Sequence, residues 1–153
     1  MILVSQFTSL LTCVEPHLDN QGFKYTRLDG SLNIDQKSQV VLNFQDNHVD
    51  SPSVLLLSLR AGGVGLNLTA ANHLLLMDPA WNPSIENQCF DRIHRFGQQK
   101  PCNIIRFIIR DSIESYICQI QEKKRNLTSG AFGQVDRNRG PQELQQILTL
   151  FGI

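Results

Sequence analysis

At 153 residues, 41% hydrophobic and 18% charged, the chain is long enough for one compact domain that buries most of the surface its unfolded form exposes. Fourteen Lys plus Arg balance fourteen Asp plus Glu, so a global basic field is excluded and any nucleic-acid binding has to come from a local patch. The four cysteines form no C-x-x-C pair, leaving no readable zinc site, and no apolar stretch approaches the ~20 residues that span a bilayer, so a soluble intracellular protein with reduced thiols and no membrane partner is expected.

The opening "MILVS" reads as a strand, and a domain that starts in mid-strand is expected to be part of something larger. "FTSLLTCVEPHLDNQG" follows with helix-period apolars Leu10, Leu11, Val14 and Leu18 before a glycine stop. Next come a strand "FKYTRL", a turn "DGS", and a helix from about Asn33, where Asn33 and Gln36 have capping-box spacing, through Val40, Val41 and Phe44. "SVLLLSL" and "HLLLMD" are continuous apolar runs of strand length, the pattern of strands covered on both faces in a parallel sheet. A helix over 84–96 carries the apolar stripe Ile85, Cys89, Ile93 and Phe96, followed by a strand "NIIRFII". The helix "DSIESYICQIQEKKRNL" has Asp111 or Ser112 as cap and a stripe of Ile113, Ile117 and Ile120. Strands alternating with helices predict a doubly wound α/β sheet over 1–130, then a Gly-rich linker at 131–140 and a short C-terminal helix at 141–153.

In open α/β sheets ligands sit beyond the carboxyl ends of the strands, here "SLRAGGVGLN", "MDPAWNP" and the segment with the arginines. Gly62, Gly63 and Gly65 allow close approach of a phosphate, or simply a tight turn, since their spacing fits no standard phosphate loop. On the 84–96 helix Gln88, Arg92 and Arg95, spaced by four and three, share a face beside the apolar stripe. Arg keeps its charge and donates to two oxygens at once, which suits a transferring phosphoryl group; a solvated face with Asp91 neutralising Arg95 is the plainer reading. The chain carries no phosphate-cradling loop with its lysine and no acidic Mg²⁺ motif beside one, so arginines that serve ATP need another lobe to hold it.

That combination resembles the second RecA-like lobe of superfamily-two helicases, specifically the Swi/Snf-type DNA translocases. "MILVSQFTSLL", "YTRLDGS", "LLLSLRAGGVGLNLTAANHLLLMDPAWNP" and "QCFDRIHRFGQQK" are similar, in order and spacing, to four motifs of that family. "LMDPAWNP", "QCFDR" and "KKRNLTSGAFG" are most like the branch of helicase-like transcription factors and RING-bearing postreplication-repair translocases. The resemblance implies a three-layer α/β/α lobe with a mainly parallel sheet in a nuclear, DNA-stimulated ATPase acting in chromatin remodelling or in DNA damage tolerance and repair. It implies that Arg92 and Arg95 are arginine fingers for the γ-phosphate of ATP, that Gln88, Gly65 and Asn67 line the nucleotide side, and that ATP and Mg²⁺ are held mainly by an N-terminal lobe of the same polypeptide. It also implies that Arg60, Trp81, Arg27, Gly30 and Ser31 face double-stranded DNA, with nucleosomes or replication-fork proteins as further partners.

For Trp81 the open alternatives are stacking against a base or sugar and packing in the core. A hydrolase triad of Asp78, His94 and Ser58 is disfavoured because no G-x-S-x-G elbow exists. A non-catalytic helicase-like scaffold or protein-binding module is the stronger rival, weighed against the presence of both arginines with Gln88 and Gly97.

Overall fold

The computed structural model describes residues 1–46, 48–61 and 65–130, with side chains as far as Lys124. The expected linker at 131–140 and helix at 141–153 lie outside the described residues, as do Gly62 and Gly63. Packing divides the chain into two units, Met1–Gln121 and Glu122–Ile153, and the first contains the whole of the sheet.

The elements alternate: β1 (Ile2–Ser5), α1 (Thr8–Asn20), β2 (Tyr25–Leu28), α2 (Ile34–Gln45), β3 (Val54–Ser58), β4 (His73–Leu76), α3 (Pro83–Phe90), β5 (Asn103–Arg106) and α4 (Ile113–Gly130). The five strands form one all-parallel sheet in the order β2-β3-β1-β4-β5. Because side chains alternate across a strand, Ile2, Val4, Leu55, Leu57, Leu74 and Leu76 pack on one face with Phe44 of α2 and Cys89 of α3. Leu3, Val54 and Leu56 pack on the other with Leu11 and Leu18 of α1. Both faces are covered, which is why the three inner strands read as unbroken apolar runs, and the expected α/β/α layering is what the chain adopts. Among the described residues no helix is long and apolar enough to cross a membrane.

The local signals at helix ends act as read. Asn33 caps α2 reciprocally with Gln36: the Gln36 amide donates to Asn33 Oδ1 at 2.9 Å and the Asn33 amide to Gln36 Oε1 at 3.0 Å. Gly22, at φ +70°, lets Phe23 N–H return to the Leu18 carbonyl and close α1. Ser112, not Asp111, caps α4, accepting from the Glu114 amide at 3.1 Å, while Asp111 turns the chain at φ 54°.

Three expectations are corrected. The helix expected over 84–96 stops at Phe90, and from Arg92 the chain tightens into i→i−3 turns, Arg92 N–H to Cys89 O and Ile93 N–H to Phe90 O. Of its expected stripe, Cys89 and Ile93 are buried, but Ile85 is exposed because Glu86 occupies the inward face on hydrogen bonds that the sequence does not display, and Phe96 is exposed beyond the end of the helix. On α4 Ile117 is buried and Ile120 half-buried, whereas Ile113 is exposed at the first turn.

Candidate functional site

β1 lies between β3 and β4, and the chain leaves β1 toward the β2 side of the sheet but leaves β4 toward β5. The two connections part above β1 and β4, the switch point at which such sheets open a crevice. Its floor is polar and closed: Asp78, buried, accepts from the Ser5 hydroxyl and, at 3.0 Å, from the Gln6 amide, while Gln6 Nε2 donates to Pro79 O at 2.8 Å.

Above this floor is a cleft of about 550 Å³. The loop after β1 supplies Gln6, Phe7 and Thr8, the turn after β2 supplies Gly30, the end of β3 supplies Ser58, Leu59 and Arg60, and the β4–α3 region supplies Ala80, Trp81, Asn82 and Ile85. Three of the five residues expected to face DNA, Arg60, Trp81 and Gly30, therefore meet in one concavity. Trp81 is 47% exposed, so it is a wall of the cleft and not a core residue. Phe7 and Ile85 are also exposed there, and Arg60 brings a guanidinium. Flat apolar walls with one cation suit a ligand that has both rings and anionic groups.

The other two members of that set are engaged within the chain. Arg27 donates from Nε to Asp29 Oδ2 at 2.7 Å, and from Nη1 to Glu15 Oε1 and Thr12 Oγ1, both at 2.8 Å, which joins β2 to α1. Ser31 gives both its amide and its hydroxyl to Asp29 Oδ1, at 2.9 and 2.6 Å. What this turn offers the cleft is Gly30, where an added Cβ would meet nothing within 4 Å.

The Ser31 hydroxyl and the Ser31 amide hold the Asp29 carboxyl below the usual carboxylate range against the opposing effect of burial, and Arg27 adds to the lowering. A folded-state value below the unfolded ~3.9 gives stability that is present above that value and lost as pH falls through it toward the folded value. The stability difference between wild type and Asp29→Asn is therefore expected to be flat above about pH 5 and to shrink below ~3.9 in urea titrations taken at successive pH values.

The nucleotide-side candidates gather around a second junction. Leu68 N–H donates to Arg92 O at 3.1 Å, and Gln98 Nε2 donates to the carbonyls of Thr69, Ala71 and Ile93 at 3.0, 2.8 and 3.2 Å. Gly97, at φ +101°, makes the turn that brings Gln98 back onto the 65–71 loop. Gln45 Nε2 holds the Asn67 carbonyl from α2. Gly65, Asn67, Gln88 and Arg95 are exposed and Arg92 is half-buried. Arg92 and Arg95 thus stand on a turn segment fixed to the loop of Gly65 and Asn67, with Gln88 on the helix before it. Among the described residues Arg95 makes no ion pair with Asp91. Burial pushes the neighbouring Cys89 thiol up to about 12, so it serves as an apolar packing group.

Gln98 and Glu86 matter to this edge without a role in the sequence reading, and Asp78, which enters that reading only in the disfavoured hydrolase triad, holds the crevice floor instead. For Glu86 a signal existed: it is spaced three and seven from Cys89 and Ile93, on the same buried face.

Among the described residues no group of three His, Cys, Asp or Glu side chains stands close enough to hold a metal ion. What the second junction presents is cationic and amide donors, which suit anionic oxygens and not a metal ion.

Residues 1–97 match the family described as the helicase conserved C-terminal domain. Helicase-like transcription factor of Mus musculus is 47% identical over 155 residues, covering 99% of this chain and 16% of that protein. DNA repair protein RAD5 of Mycosarcoma maydis is 46% identical, covering 99% of this chain and 11% of its own length. The crystal structure of the C-terminal part of the Fun30 ATPase domain superposes with a TM-score of 0.74 at 36% identity, covering 78% of this chain and 38% of that one. The chain thus spans at most 16% of the length of these two curated relatives.

Proposed function

Since the chain belongs to the helicase conserved C-terminal domain family, we propose that it serves as the second lobe of a DNA-stimulated ATPase, a Swi/Snf-type translocase on double-stranded DNA. Its five-stranded parallel sheet has the fold of a RecA-like helicase C-terminal lobe. The relatives carry the names of a helicase-like transcription factor and a DNA repair protein, which supports nuclear action in chromatin remodelling or in DNA damage tolerance.

The observation that carries the proposal is the bolting of residues 92–98 to the 65–71 loop. ATP, held with Mg²⁺ by an N-terminal lobe, is the substrate. A phosphoryl group in transfer spreads negative charge over its outer oxygens, and a planar guanidinium answers it only when it arrives already oriented. Gln98, anchored on three carbonyls, fixes the segment that carries Arg92 and Arg95. Gln88 and Asn67 then donate to the flanks of the same phosphate. The DNA cleft lies on the same rigid sheet, so closure on nucleotide and reopening after hydrolysis move the grip of Arg60 and Trp81 stepwise.

Alone, the chain is expected to release no phosphate from ATP, since Arg92 and Arg95 contribute only when a nucleotide is held within reach. Supplying the N-terminal lobe in trans should restore part of the DNA-dependent turnover, limited by the entropy of joining untethered pieces. Turnover by the isolated chain that survives loss of both arginines would overturn the two-lobe reading. Arg60→Ala should weaken duplex binding about equally for all sequences and reduce the slope of log K against log salt by ~1, as the loss of one phosphate contact does. An unchanged slope would remove Arg60 from the interface.

A further inference from the structure

Ala80, the residue that precedes Trp81, is gripped at both of its polar backbone groups by two buried side chains. Ala80 N–H donates to Glu86 Oε1 at 2.7 Å, and Ala80 O accepts from Gln121 Nε2. Gln121 Nε2 also donates to Glu86 Oε1 at 2.8 Å, and Arg106 Nη1 closes the network on Gln121 Oε1 at 2.9 Å and Glu86 Oε2 at 3.3 Å. Glu86 is 0% exposed and Gln121 1%, and the three side chains come from α3, β5 and α4. Burying a carboxylate beside one partly exposed cation carries a desolvation cost, and an apolar set of equal volume is often as stable or more so. An apolar set cannot, however, fix both polar groups of a single residue.

The loop is also pinned on either side of that grip. Gln6 Nε2 holds Pro79 O at 2.8 Å, and Asn82 Oδ1 accepts the Ser84 amide at 3.0 Å as the cap of α3. Pro79 and Ala80 before the indole and Asn82 after it are thus tied to the loop after β1, to α3 and to α4, and the aromatic side chain between them is the half-exposed indole in the cleft.

We propose that Glu86 and Gln121 are positioning residues that fix the Ala80 peptide so that Trp81 is presented to DNA without an ordering cost on binding, Gln121 making α4 a determinant of the grip. The inference rests on the reading of Trp81 as a DNA contact. Ser58 and Arg60 need no such device, since Ser58 ends β3 and Arg60 stands two residues past it, whereas Trp81 stands five residues past the end of β4. A side chain that far from its strand takes its direction from the contacts of the residues that flank it.

Trp81 is the only tryptophan in the chain, so its emission reports on this loop alone. In Gln121→Leu the steady-state anisotropy of Trp81 should fall, acrylamide quenching should rise, and binding to a short duplex at low salt should weaken about tenfold. Glu86→Gln, which keeps the volume and one acceptor oxygen, should move all three in the same direction by less. Leu11→Ala, in the core on the other face of the sheet, lowers stability without touching the loop and should leave anisotropy and quenching at wild-type values. Wild-type anisotropy and quenching in folded Gln121→Leu would overturn the inference, and so would equal shifts in Leu11→Ala. The underlying reading fails separately: if duplex added to the wild-type chain leaves Trp81 emission unchanged, Trp81 is not the DNA contact, while the anisotropy series still decides who holds the loop.

Discussion

Replacing either Arg92 or Arg95 by alanine in the complete two-lobed motor is expected to lower ATP turnover about 10³-fold or more, the usual effect of removing an arginine finger. The magnitude follows from when the interaction is made. A guanidinium that met the phosphate equally in ground and transition states would change affinity and leave turnover alone. One that meets charge developing in transfer appears wholly in kcat. ATP binding, which the proposed reading assigns mainly to the other lobe, should change little. Gln98→Ala leaves both arginines in place but removes the donor to Thr69, Ala71 and Ile93, and should give a smaller loss, also in kcat. Phosphate-release kinetics over a range of ATP concentrations separate the two parameters. Near-normal kcat in the double arginine mutant would return these residues to the solvated-face reading.

The second large effect is on stability. Asp78→Ala should cost about 1–3 kcal/mol, because it takes the charged acceptor from the buried Ser5 hydroxyl, which keeps only the Phe7 carbonyl at 3.2 Å, and from the part-buried Gln6 amide. In a domain whose whole margin is about 5–15 kcal/mol, that shifts the urea midpoint visibly. Asp78→Asn keeps one carbonyl oxygen for the Gln6 amide and should lose less. If alanine matches the wild-type midpoint within about 0.5 kcal/mol, the crevice floor is not held by this carboxylate.

Why some of this was legible in the sequence and some was not has a physical basis. The runs around Leu55–Leu57 and Leu74–Leu76 announce themselves because a parallel sheet wrapped on both faces needs apolar side chains at every position. The cap at Asn33 is legible because all its partners lie within four residues. The end of α3 is not, since Ile93 continues the helical period while sitting in a turn, where the Arg92 carbonyl is drawn off to Leu68. Ile85 gives up its expected inward place to Glu86 because, besides the Ala80 amide, the partners of Glu86 lie 20 and 35 residues away. At the site, the rule that ligands gather at carboxyl ends anticipates that Arg60, Trp81 and Gly30 meet. It does not anticipate the capture of Arg27 by Glu15 and Asp29, since the contact with Glu15 forms only once α1 has packed beside β2.

The position of β1 in the middle of the sheet has a further consequence, for how the chain acquires its structure. Ile2 registers against Leu55 on one side and Leu74 on the other, so its hydrogen-bonding edges stay open until two much later segments have been made. During synthesis β1 leaves the ribosome long before β4 exists, and every pairing it makes closes a long loop. Among the described residues no early hairpin is available as a nucleus, because each strand pairs in parallel and across a crossover. Folding therefore waits for residues beyond Leu76, and proceeds with the slowness of a chain dominated by distant pairings. Until then the segment Ile2–Val4 is a bare apolar strand, the stretch through which a stalled or truncated nascent chain would aggregate or engage a chaperone.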